Sequence, residues 1–344
     1  MARKLATVTS ARVPATQTNF PIYIDQDRLG MTTLAEAQSG RWYTASDLVT
    51  EMAREVVSVT EGHGKHPSLT STAQICIDWD GVRADYATTA TYGRNAVWAD
   101  YLAVYHGELS GSSVVDSTGN NTPTKQTVAT PTVTSGKVGD ALSPNSASWD
   151  TNINPNTAIG TGDFTWQSWN NFSPSTDRRI ILSATRNDPF YNAFQMTVYE
   201  SGIGSRENSN FLSARAETSG SVETTGAAAD GTWRMRHATR TGTTASHFIN
   251  GVSVYSASDA EWGVSLGGST SPIFILGGAY SSGIVSITED EIDEIRVRGS
   301  VLSANWITTE YNNQNDEADF WGSWTTISTG PAKYLGMFSL VEKA

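Results

Sequence analysis

The stretch from Ile273 to Gln314, IFILGGAYSSGIVSITEDEIDEIRVRGSVLSANWITTEYNNQ, carries the clearest structural pattern in this chain. An apolar strand is followed by a Gly-Gly step, a strand with acidic flanks, a short helix capped by Ser303, and a polar end. In the helix, the pattern places Trp306 and Ile307 to pack and leaves Glu310 exposed. This order predicts the closing strands and final helical turn of a β-sheet domain.

Composition and charge set the broad class. The 344 residues are enough for two domains that each bury a core. Charged residues make up 17%, against roughly 25% in a typical globular protein, and Trp, Tyr and Thr are frequent, which favours strands. A net charge of −12 argues against a nucleic-acid partner. Since no stretch approaches the ~18 apolar residues of a membrane span, we expect no membrane insertion.

The first 109 residues contain two stretches that alternate apolar and polar side chains, as half-buried strands do. They are Phe20, Ile22 and Ile24, and then Ile75, Ile77 and Trp79. Residues 45–59 are ambiguous, because their apolar positions fit a helix and their last valines fit a strand. Periodicity alone favours the helix.

Four segments in order, TNFPIYID, GRWYTASD, MAREVVSV and AVWADYLAVYH with VDSTGNNT, resemble a bacterial and phage domain of unknown function. That domain commonly precedes a laminin-G-like module. The resemblance implies strand, turn and strand for residues 45–59. In residues 110–144, DSTGN followed by GKVGDAL resembles the opening of a laminin-G-like module, which implies ordered loops and short strands there.

The second half contains the hairpin WRMRHATRTGTTASHFINGVSVY, whose Asn250-Gly251 pair is typical of a type I′ turn. With the opening stretch, it resembles laminin-G-like (concanavalin A-like) jelly rolls. We therefore predict an all-β chain of two β-sandwich domains with one or two short helices. Residues 1–109 form an N-terminal β-sandwich domain, 110–327 a jelly roll, and 328–344 a C-terminal extension. The extension either adds a strand or packs on a neighbouring subunit.

The acidic strand 289–294 invites comparison with laminarinase-type glucanases, whose strand pattern is Glu-x-Asp-x-Glu. Retaining glycosidases need two carboxylates ~5 Å apart. Starting from Glu291, the second position on the same strand face is Asp293, but the third is Ile295. Glu291 and Asp293 are therefore predicted to be structural. Cys76 stands between two isoleucines and is predicted to be buried and inert. We expect no enzymatic activity.

Two groups of residues contain side chains that could bind a metal ion. His63 and His66 in EGHGKHP could reach one ion from a loop, but no third ligand is identifiable, which favours a plain turn. His106, His237 and His247 lie scattered on predicted strands and are expected to be structural.

Calcium is the more reasonable metal, and related modules often bind it. Asp116, Asn120 and Asn121 supply several of the oxygens that Ca²⁺ prefers. The same residues are ordinary turn chemistry, so both interpretations remain, and no cofactor is required.

Glycan binding requires an aromatic platform beside amides and carboxylates on loops. Each such aromatic residue also fits a core or a subunit interface. The candidates are Trp149 with Asp150 and Asn152, Tyr191 with Asn192 and Asp188, and Trp262 with Glu261.

A lectin-like chain usually works outside cells, yet MARKLATVTSARVP has no apolar core of a secretory signal, and the lone Cys76 permits no internal disulfide. A virion protein, made in a host's cytoplasm and released by lysis, reconciles these features. We predict a bacteriophage structural protein (tail fibre, tail tip or capsid decoration) that forms a homo-oligomer such as a trimer. Its partners are other virion proteins and a host surface glycan. The alternative is a bacterial extracellular carbohydrate-binding protein without catalytic activity.

Overall fold

A computed structural model describes most of the chain. The described residues are 1–126, 128–173, 179–185, 193–200, 205–212, 221–225, 230–258, 263, 265–266, 273–276, 278–280, 284–287 and 290–328. These residues form mainly antiparallel β-sheet, which confirms the all-β prediction. No helix among them is both long and apolar enough to span a bilayer.

The N-terminal unit, residues 1–109, contains two small sheets. The first has the order β26-β1-β6-β3 and the second the order β2-β5-β4. Strands β2 and β6 carry the two alternating stretches predicted from the sequence, and Phe20, Ile22, Ile75 and Ile77 are buried. The strands of this part are β1 (Ala2–Thr7), β2 (Gln17–Ile24), β3 (Arg41–Tyr43), β4 (Arg54–Val56), β5 (Gly62–Leu69), β6 (Gln74–Trp79), β7 (Ala103–Tyr105) and, from the end of the chain, β26 (Thr325–Thr326).

The ambiguous segment 45–59 contains a turn and one strand. The chain turns through Leu48 with φ of 60°, and β4 begins at Arg54, but the preceding strand β3 ends at Tyr43, before the segment begins. The turn and the second strand implied by the resemblance are confirmed, the first strand lies outside the segment, and the helix favoured by periodicity is wrong. Pairing of β4 with β5 outweighs the local helical spacing.

The jelly roll consists of two larger sheets packed face to face. One has the order β10-β13-β22-β15-β16-β17-β18, the other β11-β12-β25-β14-β19-β20-β21, with β7 also paired to β25. The strands are β8 (Leu109–Ser110), β9 (Ser113–Val114), β10 (Thr124–Lys125), β11 (Thr132–Ser135), β12 (Asp140–Ser143), β13 (Trp149–Asp150), β14 (Phe164–Asn171), β15 (Arg179–Thr185), β16 (Ala193–Glu200), β17 (Ser205–Leu212), β18 (Ser221–Thr225), β19 (Arg234–Thr241), β20 (Thr244–Ile249), β21 (Val252–Ser258), β22 (Ile273–Leu276), β23 (Gly278–Tyr280), β24 (Ile284–Ile287) and β25 (Glu291–Arg298).

The predicted hairpin is β20-β21. Ile249 pairs with Val252, and Asn250 and Gly251 have φ of 51° and 78°, as a type I′ turn requires. The two-residue turn was therefore identified correctly from the Asn-Gly pair.

Five α-helices lie in the described residues, more than the one or two expected. Four of them are six residues or shorter; they are α1 (Leu34–Ser39), α2 (Arg94–Val97), α3 (Pro155–Ala158), α4 (Ala304–Asn315) and α5 (Glu317–Trp321). The α4 helix begins at the predicted cap, where Ser303 Oγ accepts a hydrogen bond from the Trp306 amide at 3.2 Å.

The two units share elements across their predicted boundary. Strand β7 leaves the N-terminal unit and pairs with β25, with Tyr105 opposite Ile295. In return, α4 and α5 pack into the core of the N-terminal unit, where the Trp306 ring centroid lies 4.9 Å from that of Phe20 and Trp321 Nε1 donates to the Tyr23 carbonyl at 3.2 Å. Asn313 exchanges two hydrogen bonds with the Tyr23 backbone and so covers the edge of β2. These exchanges hold the units together.

Candidate functional site

A buried group of two histidines and two glutamates lies where the N-terminal unit meets the jelly roll. Glu61, His63, His106 and Glu294 form this group, called here the His/Glu cluster, and one ligand-type atom from each lies within 4.8 Å of all the others. Glu61 Oε1 is 3.1 Å from His63 Nε2 and 3.3 Å from His106 Nδ1. Glu294 Oε1 is 3.5 Å from His63 Nε2 and also contacts His106 Nδ1.

The first two members come from the start of β5. Glu61 closes a tight turn in which its carbonyl accepts the Val57 amide at 3.0 Å, and His63 follows two residues later on the same strand face. The intervening Gly62 and the following Gly64 lie against Trp42, where an added Cβ would come within 3.0 and 2.6 Å of the ring. The glycines thus allow β5 to lie close to Trp42 on the face opposite His63.

Glu294 reaches the cluster because β25 bulges. On β14, Gln167 pairs with Arg296 and Trp169 with Asp293, so the single residue between them faces two on β25. Glu294 sits at the bulge with φ of 50°, a left-handed conformation that costs about 1–3 kcal/mol for a residue with a side chain. The bulge directs two adjacent carboxylates, Asp293 and Glu294, into buried surroundings.

The opposite edge of β25 has a gap at this point. Strand β12 pairs with β25 at Ile292, and β7 pairs with it from Ile295 onward. His106 follows β7 directly, which places its ring beside the gap, and the Asp140 amide at the start of β12 lies 3.4 Å from Glu61 Oε2. The meeting of three strand ends therefore assembles the site.

Groups around the cluster hold its members in place. His106 Nε2 lies 3.2 Å from Glu55 Oε2, and Glu55 also accepts hydrogen bonds from Ser117 Oγ at 2.7 Å and from Trp98 Nε1. Arg94 Nε lies 4.0 Å from Glu55 at the edge of this network. The rings of His63 and His106 stack with centroids 4.4 Å apart and planes 20° apart.

On the jelly-roll side, Arg296 contacts Glu294 and donates to Glu310 Oε1 at 2.6 Å. Glu310 Oε2 also lies 3.0 Å from His237 Nε2. Glu310 is only 1% exposed, so its predicted exposure is wrong. The helical spacing of apolar residues in α4 predicts that its polar face meets solvent. That face instead packs on the jelly-roll sheet.

Burial and mutual charge shift the pKa values strongly. Burial acts to lower the pKa of His106, but Glu294 and Glu55 outweigh it and raise this pKa to about 10. Burial lowers the pKa of His63 to about 4. Burial and the nearby Glu294 raise the pKa of Glu61, whereas Arg296 and His106 overcome burial and hold that of Glu294 well below its usual range. The cluster therefore places a histidine that favours the protonated form beside one that favours the neutral form. It likewise places a glutamate that favours the protonated form beside one that favours the ionised form.

Sequence reasoning missed this cluster. It placed His63 in a loop with His66, but both lie on β5 and His66 instead contacts the Gln74 carbonyl at 3.4 Å. Glu61 two residues before His63 was a usable signal, since both lie on one strand face. His106 and Glu294 are distant in sequence, and Glu294 arrives only through the bulge.

The predicted calcium loop is a turn held by its own carboxylate. Asp116 is buried, and its oxygens accept hydrogen bonds from the Val104 amide at 3.0 Å, the Thr118 amide at 3.1 Å and the Thr118 hydroxyl at 2.7 Å. The Asn121 amide and side chain also donate to it, at 3.2 and 2.8 Å. Asn120 is exposed, and its backbone amide donates to Thr118 Oγ1. This arrangement favours the turn interpretation.

Only one of the three glycan candidates lies in the described residues. Trp149 is fully buried in the jelly-roll core and its Nε1 donates to the Ser112 carbonyl at 3.0 Å, so it has no face for a sugar and that prediction is wrong. Asp150 accepts the Asn152 amide at 2.8 Å in a turn, and Asn152 is exposed. The other candidates, Asp188, Tyr191, Asn192 and Trp262, lie outside the described residues and stay predictions.

The acidic strand has the structural role predicted for it. Glu291 accepts a hydrogen bond from Asn171 Nδ2 at 2.8 Å, and Asp293 Oδ2 accepts the Lys137 and Val138 amides at 3.0 and 2.9 Å. Cys76 is buried, and burial raises its pKa to about 11, which makes it a poor nucleophile.

The second module matches a known family. Residues 144–308 match the model of the concanavalin A-like lectin/glucanases superfamily, which confirms the jelly-roll prediction. The resemblance of the first 109 residues to a domain of unknown function stays a prediction. No curated protein matches the chain in sequence.

Several solved structures are similar to this chain at low identity. Domain 4 of AbnA, a GH43 extracellular arabinanase from Geobacillus stearothermophilus in complex with arabinotriose, is 17% identical, with a TM-score of 0.45 over 61% of this chain and 97% of that one. The binding domain of Paraclostridial Mosquitocidal Protein 1 is 13% identical, with a TM-score of 0.45 over 65% and 55%. A botulinum neurotoxin type C structure, described for its interaction with two ganglioside molecules, is 12% identical, with a TM-score of 0.42 over 64% and 52%.

Proposed function

We propose that this chain is a non-catalytic structural and binding protein of a bacteriophage virion, which uses its jelly roll to bind a glycan or receptor on the host surface. The proposal has three parts: the absence of catalysis, the binding role and the assembly into a particle. Each is supported by a different feature and tested separately.

Burial of the acidic strand is the observation that carries the proposal. The superfamily of the second module includes both lectins and glucanases. A glycosidase needs two carboxylates that reach a substrate from both sides of the scissile bond. Here Asp293 and Glu294 are fully buried, and Glu291 is hydrogen-bonded to Asn171. Glu291 and Asp293 instead accept hydrogen bonds within the jelly roll, and Glu294 contacts His106 of the N-terminal unit, which favours the lectin-type role.

A glycan array probed with the full-length chain, with and without calcium, tests binding. Loops of the jelly roll are the expected contact region. We expect retention of a defined glycan class and no release of reducing sugar from the retained polysaccharide. Binding to no glycan would overturn the glycan part, and reducing-sugar release would overturn the absence of catalysis.

Assembly into a particle is supported by the coupling of the units and by an uncharged strand at a sheet edge. The β7–β25 pairing and the packing of α4 make the described parts of the two units a stiff pair. Strand β21 ends its sheet among the described strands, contains no charged residue, and exposes Val252 and Val254. Monomeric proteins usually protect such edges with charges, so this edge suits contact with another subunit.

Light scattering and proteomics of purified phage particles test the assembly. We expect a homo-oligomer in solution, a trimer being the form predicted, and the chain among the virion proteins. A monomer that is absent from particles and present in culture medium would overturn the virion role and favour a bacterial extracellular carbohydrate-binding protein.

A further inference from the structure

We propose that Glu61, His63, His106 and Glu294 bind one Zn²⁺ ion in a closed structural site that joins the N-terminal unit to the jelly roll. The ligand set is two imidazoles and two carboxylates, which are donors that Zn²⁺ accepts in tetrahedral geometry. All four side chains are buried, which is typical of a structural rather than a catalytic zinc site.

Three of the six separations between the donor atoms fit four-coordinate zinc. With metal–ligand distances of about 2.0–2.1 Å, neighbouring ligand atoms in a tetrahedron lie about 3.4 Å apart. The three separations are 3.1, 3.3 and 3.5 Å, whereas Glu294 Oε1 and His106 Nδ1 lie closer and have to move apart for both to bind one ion. Hydrogen bonds alone would give similar values, so two further features distinguish an ion from shared protons.

The first feature is the charge of the buried network. Its five carboxylates face two guanidinium groups, so electrical balance without a metal needs protons on all three imidazoles or on carboxyl groups. The carboxylates are Glu55, Glu61, Asp293, Glu294 and Glu310, the guanidinium groups Arg94 and Arg296, and the imidazoles His63, His106 and His237.

The stacking of His63 on His106 opposes the fully protonated arrangement. Two imidazolium rings with centroids 4.4 Å apart would repel each other. A divalent cation supplies two positive charges and leaves both imidazoles neutral, which is the form that binds a metal. With the ion bound and the imidazoles neutral, the network keeps one net negative charge. Glu310, one of its carboxylates, lies beside His237.

The second feature is the environment of the ligands. A histidine bound to zinc commonly gives its other ring N–H to a carboxylate, which orients the ring. His106 presents Nδ1 to the cluster and Nε2 to Glu55, and Glu55 is itself held by Ser117 and Trp98. Glu294 likewise presents one oxygen to the cluster and the other to Arg296. Such support is what a metal site has beyond its ligands.

Zinc content of the full-length chain is the first test. The protein would be purified with its affinity tag removed, because oligohistidine binds zinc, and analysed by inductively coupled plasma mass spectrometry. We expect about one Zn²⁺ per chain, retained through dialysis against EDTA because the ligands are enclosed. Protein refolded in the presence of Zn²⁺ that still carries less than about a tenth of an equivalent would overturn the proposal.

Variants assign the ion to the cluster. His63→Ala and Glu294→Gln each remove one ligand and should lose the bound zinc. His66→Ala is the matched control, since His66 is buried on the same strand but outside the cluster, and should keep it. Glu55→Gln keeps all four ligands and should weaken zinc binding about 10–100-fold. Wild-type zinc content in His63→Ala and Glu294→Gln would overturn the assignment.

Cobalt substitution tests the geometry without relying on any variant. Wild-type protein refolded with Co²⁺ in place of Zn²⁺ should show the intense visible absorption of a tetrahedral Co²⁺ site. The weak absorption of six-coordinate Co²⁺, or no bound Co²⁺ at all, would overturn the four-ligand site even if the variants failed to fold.

Discussion

Two buried carboxylates, Asp116 and Glu294, show two ways in which this chain satisfies a charge away from water. Asp116 accepts five hydrogen bonds, four of them from Thr118 and Asn121 in its own loop and one from the Val104 amide on β7. Glu294 depends on side chains from both units, with His106 on one side and Arg296 on the other. The first is a local solution and is readable in the run DSTGN. The second exists only once the chain has folded.

The largest expected effect comes from Glu294→Gln, which keeps the shape of the side chain and removes its charge. It removes the one carboxylate that Arg296 and His106 share in a buried site, so the free energy of unfolding should fall by about 3–5 kcal/mol. Urea denaturation followed by tryptophan fluorescence would measure it.

Glu291→Gln is the matched control on the same strand. Glu291 is partly exposed and accepts one hydrogen bond from Asn171, so its loss should cost about 1 kcal/mol. Equal losses for the two variants would show that the cluster contributes no more than a surface hydrogen bond, and would break the comparison.

Much of the fold was predictable because its signals are local. Alternation in β2 and β6, the Asn250-Gly251 turn and the Ser303 cap each act within a few residues. The structural role of Asp293 was likewise predicted.

The candidate site was not predictable for the opposite reason. Glu294 enters it through a β-bulge, which shifts the side-chain alternation, so counting faces along the strand gives the wrong neighbours. Glu310 was expected at the surface because the sequence does not show that both faces of α4 are covered. Trp149 was a candidate both for a sugar platform and for the core, because an aromatic beside Asp and Asn looks the same in a loop and at the end of a core strand; the structure places it in the core.

The pH dependence of the free energy of unfolding should distinguish Glu317 from Asp116 and Glu294, the two buried carboxylates compared above. Glu317 is buried and faces one guanidinium, that of Arg28, and burial raises its pKa from 4.5 to about 7 despite that partner. Because the folded-state pKa is the higher one, this group's contribution to stability is full below pH 4.5 and is lost as the pH rises through about 7.

The free energy of unfolding measured from pH 5 to pH 8 would test this. The wild type should lose up to about 3 kcal/mol through this group, and Glu317→Gln should not show that loss. An unchanged pH profile in the variant would mean that Arg28 keeps Glu317 ionised throughout, as Arg296 does for Glu294.

Asp116→Asn should have a moderate effect. The amide that replaces Oδ2 cannot accept from Thr118 Oγ1 or Asn121, so the free energy of unfolding should fall by about 1–3 kcal/mol. Thermal unfolding with CaCl₂ or EDTA should give the same melting temperature for the wild type, since the loop's own donors satisfy the carboxylate. A calcium-dependent rise in the wild type that Asp116→Asn abolishes would establish a calcium site instead.

Ser303→Ala should have the smallest effect. Ser303 Oγ accepts only the Trp306 amide, and loss of a helix N-cap costs about 1 kcal/mol. Ser303→Asp restores an acceptor at the same place and should recover the stability, measured again by urea denaturation. The cap lies at the start of the helix that carries Glu310 into the buried network. If Ser303→Ala cost as much as Glu294→Gln, the local cap and the distant ion pairs would be one cooperative unit, and the separation of local from non-local stabilisation would not hold.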